Sequence, residues 1–410
     1  MTPVTDQRSH PSAFMILFMP YGALSGYLTV TLGYLLSQSG MAVAQIGLLI
    51  AVSYLPHMVK ILWAPIVDTT LTRKQWYLIG TTLTSVGVVA MAACSTHATA
   101  FGVLSVVVFV ASLASSFTAM STESLLAYNT PLALKGRAGG WLQAGNFIGM
   151  GLGGGAGLWL AERVSAPWMT GAALGFCFML CCAPLLAIAE PASTLLPERG
   201  AVRKIMALLW DLWLLLRARS GYLSLLIVFL PIGTGAASNL WPAVADAWHA
   251  SASTVALVNG TLGGLASAVG CLAGGYLADH LNRRLAYLGY GALLALCGLA
   301  MALSAHTEIA YAAFTLTYAV LSGMCFAAFS GVTLEAIGAG AAATKYNLYA
   351  SLSNVPIMYM SALEGRASDR WGPNALLYFE GIMTVVSVVV FIAATMLTAH
   401  RTTPLAAESP

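Results

Sequence analysis

Long apolar runs, each close to the roughly 20 residues a helix needs to cross a bilayer, alternate along the chain with short polar connections. Twelve such runs predict helices at about 14–36, 44–63, 76–94, 101–123, 139–160 and 168–189, and then at 222–241, 254–277, 285–305, 310–334, 347–363 and 374–397. A short polar arm, Met1 to Pro11, precedes them. The first run is too long for a signal-peptide core and no small-residue cleavage site follows it, so it is expected to stay in the protein. Pro20 and Gly22 are expected to kink or unwind it locally. The fold class predicted is an all-α membrane protein.

The pattern repeats. F-M-P-Y-G at Phe18–Gly22 recurs as F-L-P-I-G at Phe229–Gly233, an offset of 229 − 18 = 211 residues. An aspartate that closes an apolar helix recurs at the same offset, Asp68 and Asp279, since 279 − 68 = 211. The chain therefore reads as two copies of a six-helix unit, residues 1–189 and 221–410, joined by a linker at 190–220. That linker holds the largest cluster of charges, among them Glu198, Arg199, Arg203, Lys204, Arg217 and Arg219. Its apolar middle, Ile205 to Leu216 with Trp210 and Trp213, is too short to span and is expected to lie as a helix on the membrane surface.

Composition agrees with the hydropathy. Hydrophobic residues make up 59% of the chain and charged residues 8%, against roughly 25% charged in a soluble domain. The net charge of +3 does not indicate nucleic acid, because the cations sit in connections and form no patch. All 7 cysteines lie within apolar segments, so neither a disulfide framework nor a metal site is indicated, and Cys177, Cys181 and Cys182 read as small apolar filler. No cofactor is expected. With the N-terminus in the cytosol, fourteen cations fall on the cytosolic side and three (Arg163, Arg366, Arg370) outside, with Lys60 within a span. The positive-inside rule then places both termini in the cytosol.

Two stretches carry the strongest motif. W-A-P-I-V-D-T-T-L-T-R-K at Trp63–Lys74 and G-Y-L-A-D-H-L-N-R-R at Gly275–Arg284 each end an apolar helix on an aspartate, then turn into paired cations. This resembles the loop between the second and third helices of the major facilitator superfamily, repeated between the eighth and ninth. The resemblance implies twelve transmembrane helices in two six-helix halves, alternating access, and a gating role for Asp68, Arg73, Asp279, Arg283 and Arg284. The first copy departs from the usual form, with Ala64-Pro65 in place of glycine and one extra residue before Arg73.

The run Gly47–Asp68 and the stretches L-K-G-R-A-G-G (Leu134–Gly140) and G-L-W-L-A-E-R (to Arg163) are similar to the family that contains muropeptide permeases and acetyl-CoA transporters, and to related siderophore permeases. Thr122 and Glu123 stand where that family usually has aspartates in the fourth helix, and Thr69-Thr70 follows Asp68 where an arginine is common. In the superfamily the fifth and eighth helices face each other between the halves. Gly145, Gly149, Gly153 and Gly157 on the fifth, with Gly260, Gly264, Gly270, Gly274 and Gly275 on the eighth, are expected to let those backbones approach.

Polar residues inside a membrane are costly unless paired or wetted, so they nominate the site. Lys60 reads as a partner of Glu123, as an anion site, or as a side chain snorkelling to the headgroups. His57, one turn away, is a candidate carrier of a coupling proton or a hydrogen-bonded spacer, and Glu123 is the second coupling candidate. Tyr21, Tyr27, Gln143, Asn146, Asn239 and Asn354 on the expected cavity helices are candidates for substrate hydrogen bonds or helix–helix contacts. Glu364 and Glu380 are expected near the external ends, leaving no carboxylate at the membrane centre. No H-E-x-x-H, G-x-S-x-G or phosphate-binding G-x-x-x-x-G-K occurs, so neither an embedded enzyme nor an ATP-driven pump is indicated.

The expectation is a secondary transporter of a bacterial cytoplasmic membrane, monomeric, contacting lipid and a small-molecule substrate. From the resemblance, that substrate is polar or anionic (muropeptide-, siderophore- or acyl-CoA-like) and its import is driven by protons. The alternative is a lipid transporter or drug exporter on the same fold.

Overall fold

The computed structural model describes residues 12–60, 63, 67, 70–94, 101–129, 135–189, 206, 210, 223, 226–337 and 351–400. The N-terminal arm, Asp68 and most of the linker lie outside them. Among the described residues the ordered elements are all helical. In chain order they are α1 (Ser12–Gln38), α2 (Val43–Met58), α3 (Arg73–Cys94), α4 (Phe101–Asn129), α5 (135–161) and α6 (Pro167–Leu186). After the linker come α7 (226–248), α8 (252–280), α9 (Arg283–Leu303), α10 (Glu308–Ile337), α11 (Asn354–Trp371) and α12 (Asn374–His400). Eight of these helices are long and apolar enough to span a bilayer unaided. The shorter α2, the polar-flanked α5, the broken α7 and the amphipathic α11 complete the bundle.

The outside of the bundle is apolar, as a lipid-facing surface must be. Leu186, Leu272, Leu303 and Ile309 are 92%, 77%, 76% and 82% exposed. Trp159 and Trp371, also exposed, lie under Arg163 and Arg370, whose guanidinium carbons stand 4.2 and 5.3 Å from the ring centroids. These pairs close α5 and α11 and suit the membrane–water boundary.

Close packing is achieved with glycine. A Cβ on Gly145, Gly149 or Gly153 would collide with the carbonyls of Met15, Met19 or Ala23, so the four-residue glycine stripe of α5 faces α1. This corrects the expectation that the stripe meets α8. The α5–α8 contact is made by the intervening glycines: Gly155 lies against the Gly260 backbone, and Gly151 beside it. Gly270 and Gly274 of α8 face Val320 and Met324 of α10. At the crossing, π-turns in α1 (Tyr27–Leu32), α5 (Leu152–Ala156) and α8 (Ala256–Thr261) pack together. A π-turn leaves a helical carbonyl without its usual partner, and the Thr31 hydroxyl supplies one, donating to Gly153 and Gly154 carbonyls at 3.0 and 2.9 Å.

The two F-x-P-x-G copies fold differently. Pro20 is carried inside the continuous helix α1. Its counterpart Pro231 begins a true break, with Gly233 and Gly235 at φ +62° and +66°, a region that favours glycine. The carbonyls this break releases are answered by hydroxyls from three neighbours. Tyr359 of α11 donates to Phe229 at 2.9 Å, Thr384 of α12 to Pro231 at 3.3 Å and Tyr287 of α9 to Ile232 at 2.5 Å. In the first half Tyr77 of α3 likewise donates to Leu17 at 2.8 Å. The duplication thus survives as a tyrosine of α3 or α9 holding α1 or α7.

The end of the bundle opposite the two termini is closed across the halves. Gln38 donates to both Asp246 oxygens at 3.0 and 2.8 Å, and Ser37 donates to the Ala243 carbonyl. Asp369 of α11 caps α2, accepting from the Val43 and Ala44 backbone N–H groups at 2.9 and 3.0 Å. Below that cap, Gly47 and Gly365 let α2 and α11 touch backbone to backbone.

Candidate functional site

Four predicted polar residues of the first half, Tyr21, His57, Lys60 and Glu123, converge at the end of α2. Pro56 has no N–H for the Val52 carbonyl, and the helix ends two residues later at Met58. Lys60 therefore sits in the turn beyond the helix, where its carbonyl accepts from Trp63 at 3.3 Å. Its ammonium is 13% exposed and stands 3.4 Å from Glu123 Oε1 on α4. One residue along, Ser124 Oγ accepts from Arg73 Nε at 2.5 Å. Both ends of the connection that holds Asp68 are thus tied to adjacent positions on α4. The far end is a capping box, Thr72 and Gln75 exchanging hydrogen bonds at 3.0 and 3.2 Å, which starts α3 where the motif needs it.

His57 and Tyr21 complete the group. Their rings meet edge to face with centroids 5.2 Å apart, and Phe18 packs against Tyr21 at 4.9 Å. Tyr21 lies within electrostatic reach of Glu123 and Tyr54, and Tyr54, which sequence reasoning passed over, is within hydrogen-bonding reach of Asn239 on α7. The cluster is therefore continuous from α1 through α2 and α4 to the second half. A lysine, a carboxylate, an imidazole and two phenols are thereby gathered in one partly buried group.

The other predicted residues are placed apart. Tyr27 is 1% exposed and packed in the core of the first half. Asn146 donates to Gln143 at 3.3 Å along α5, with its backbone against Gly22. Asn354 donates to the Ser351 carbonyl at 3.2 Å at the start of α11. Arg284 takes part in the α9 cap, where Asn282 Oδ1 accepts from the Arg284 and Leu285 N–H groups at 3.1 and 3.3 Å. The side chains of Asp279 and Arg283 are outside the described residues. A small, mainly apolar recess lies in the second half at the α7 break, between Leu230, Ile232, Cys325 and Ile357, and shares no residue with the Lys60 cluster.

One expectation is corrected. Glu364 and Glu380 do not sit at the external ends: they are 0% and 2% exposed, inside the protein. The α11 helix runs eight residues beyond the predicted end at 363, to Trp371. Glu364 is seven residues from that end and Glu380 six from the start of α12, which at 1.5 Å per residue sets both about 10 Å deep.

A bundle of twelve helices in two repeated halves, apolar outside and carrying an ion pair within, defines a membrane transporter and not an enzyme. Residues 13–359 match the Major Facilitator Superfamily, and the chain belongs to that superfamily. It is 26% identical over 353 residues to the anhydromuropeptide permease of Escherichia coli, covering 82% of this chain and 70% of that protein. Among solved structures it is similar to a variant of the nucleoside transporter NupG (TM-score 0.72, 12% identity, 93% of this chain and 98% of that one). It is also similar to the xylose transporter XylE from E. coli in a partially occluded inward-open state (0.68, 15%, 94% and 98%). A POT family transporter bound to a peptide conjugate is a third (0.71, 12%, 94% and 95%). These structures share the fold, in which alternating access is typical.

Proposed function

We propose that this protein imports an anionic, muropeptide-like solute together with protons across the cytoplasmic membrane of a bacterium, by alternating access between residues 1–189 and 221–410. The observation that carries this reading is the Lys60–Glu123 pair. At 3.4 Å it is longer than a tight charged hydrogen bond, and both partners keep some access to water. An incoming carboxylate can therefore take Lys60 from Glu123. Glu123, left without its cation, is the coupling residue of this reading, linking substrate binding to proton movement. His57 and Tyr21 stand beside the exchange, and Asn239 joins it to the second half. Similarity to the anhydromuropeptide permease supports the solute class.

The cation count supports cytosolic termini, and on this reading the closed end faces outward, as in an inward-facing or occluded state. On this reading the paired motif supplies the cytosolic gate, with Asp68, Arg73, Asp279, Arg283 and Arg284 as its residues, a role that rests on the sequence motif. The test is uptake into liposomes holding the purified protein, with anhydromuropeptide, an iron–siderophore complex and an acyl-CoA as probes, with and without an inward proton gradient. Gradient-stimulated uptake of the anhydromuropeptide is expected. Folded protein that moves none of the three would shift the assignment to lipid transport or drug export.

A further inference from the structure

The second half holds a carboxyl pair that the function above does not use. Glu364 of α11 is fully buried, and neither of its oxygens has a hydrogen-bond partner. Glu380 of α12 is 2% exposed; Oε1 accepts from the Tyr318 hydroxyl of α10 at 2.5 Å, and Oε2 has no partner. The backbone N–H of Ala237, on the turn that follows the α7 break, is within hydrogen-bonding reach of Glu380. Trp241 of α7 packs its ring on Tyr318 with centroids 4.6 Å apart, and its buried indole N–H is also unpartnered. The two carboxyls lie within electrostatic reach of each other and of Tyr318.

No cation balances them among the described residues. The titratable groups that face the pair are Tyr318 and Cys325 on α10 and Cys297 on α9, all neutral acids. The 43–51 stretch of α2, packed on α11, has no titratable side chain. On α7, Asp246 is exposed and bound to Gln38, while Arg366, Asp369 and Arg370 of α11 and Tyr378 of α12 are on the surface. Two buried carboxylates side by side without a counter-ion are not stable in an apolar interior.

We infer that Glu364 and Glu380 form a proton-binding site in the second half, in which Glu364 holds the proton and Glu380 accepts from Tyr318 and Ala237. The chemistry is a single transfer: the Glu364 O–H bond breaks, the proton leaves to water, and the charge stays on the carboxylate. In the closed core that charge has no compensation, so the proton exchanges only when the α7 segment carrying Ala237 and Trp241 moves away and water enters. The site is thus a coupling-proton site gated by helix α7, a role that rests on the proton-coupled reading above, although proton binding itself does not.

The test has two arms. Infrared spectra of the purified protein in liposomes, in light and heavy water, report protonated carboxyl groups through their C=O stretch. A deuterium-sensitive band at neutral pH, lost in Glu364→Gln and retained in the surface control Glu162→Gln, is expected. An unchanged band in both Glu364→Gln and Glu380→Gln overturns the proposal, as does movement of the carboxylate bands when sodium replaces choline, which would make this a sodium site. In the second arm, Glu364→Gln is expected to lose gradient-driven accumulation of anhydromuropeptide while keeping counterflow exchange. Full accumulation overturns the coupling role. If wild type does not move the anhydromuropeptide at all, the substrate assignment fails, and the infrared arm still decides the proton site.

Discussion

Lys60 Nζ, in the turn after α2, and Glu123 Oε1, on α4, stand 3.4 Å apart, and the residue after Glu123 is also engaged, since Arg73 at the start of α3 bonds Ser124. An isolated pair of this kind contributes little to stability when partly hydrated. In the proposed mechanism its value lies in being exchangeable: one cation, two residues past the end of α2 at Met58, is available to whichever anion competes best. The Arg73–Ser124 contact keeps the far end of that connection in place while Lys60 changes partner.

The glycine contacts separate two kinds of substitution. Gly153→Ala sets a methyl into the Ala23 carbonyl across α1 and α5, and overpacking of backbone against backbone costs about 3 kcal/mol or more. Gly289→Ala on α9 meets nothing within 4 Å and gains about 0.5–1 kcal/mol of helix propensity. Thermal unfolding in detergent is expected to show a lower midpoint for the first and an equal or higher one for the second. Gly260→Ala, at the contact with Gly155 between the halves, is expected to slow transport more than its change in midpoint accounts for.

The α7 break depends on borrowed hydroxyls. Tyr287→Phe leaves the buried Ile232 carbonyl without its donor, a loss of about 1–3 kcal/mol. Tyr359→Phe removes a more exposed contact with Phe229 and is expected to cost less. Unfolding midpoints of the two variants, measured in the same detergent, check that order.

Closure of the end that carries the α1–α2 turn involves Asp246 and Asp369; in the proposed orientation that end faces outward. A carboxylate at a helix N-terminus is worth about 0.3–1 kcal/mol, so Asp369→Ala weakens the cap on Val43 and Ala44 and biases the protein toward opening on that side. In a background without native cysteines, Ser37→Cys is expected to react faster with an impermeant maleimide added from outside when Asp369→Ala is also present. Equal rates would mean that the cap does not hold the gate.

Much of this arrangement is legible from sequence because its causes are local. Apolar runs of spanning length give the helices, and the 211-residue offset of Phe18–Gly22 and Phe229–Gly233 gives the repeat. The meeting of Lys60 with Glu123 follows from two charges within apolar runs of one half, each needing a partner. Glu364 was missed because E-G-R-A-S-D-R reads as a polar exit. The helical period carries the missing signal: Ser361, Glu364, Gly365 and Ser368 are spaced i, i+3, i+4, i+7 and all face inward, while Arg366, Asp369 and Arg370 face out. The direction of the α5 glycine stripe has no comparable signal, because Gly151 and Gly155 are equally small and only tertiary packing decides which set meets α1. The different fates of Pro20 and Pro231 turn on Gly233 and Gly235, since the first copy lacks a second glycine two residues after Gly22.

The most direct test of the exchange at Lys60 is equilibrium binding of the anhydromuropeptide to wild type, Lys60→Ala and Glu123→Gln by calorimetry. A charged hydrogen bond is worth about 2 kcal/mol, so Lys60→Ala is expected to bind roughly thirtyfold more weakly. Glu123→Gln, which removes the internal competitor, is expected to bind more tightly than wild type and without linked proton uptake. The same affinity in all three proteins would contradict anion exchange at Lys60.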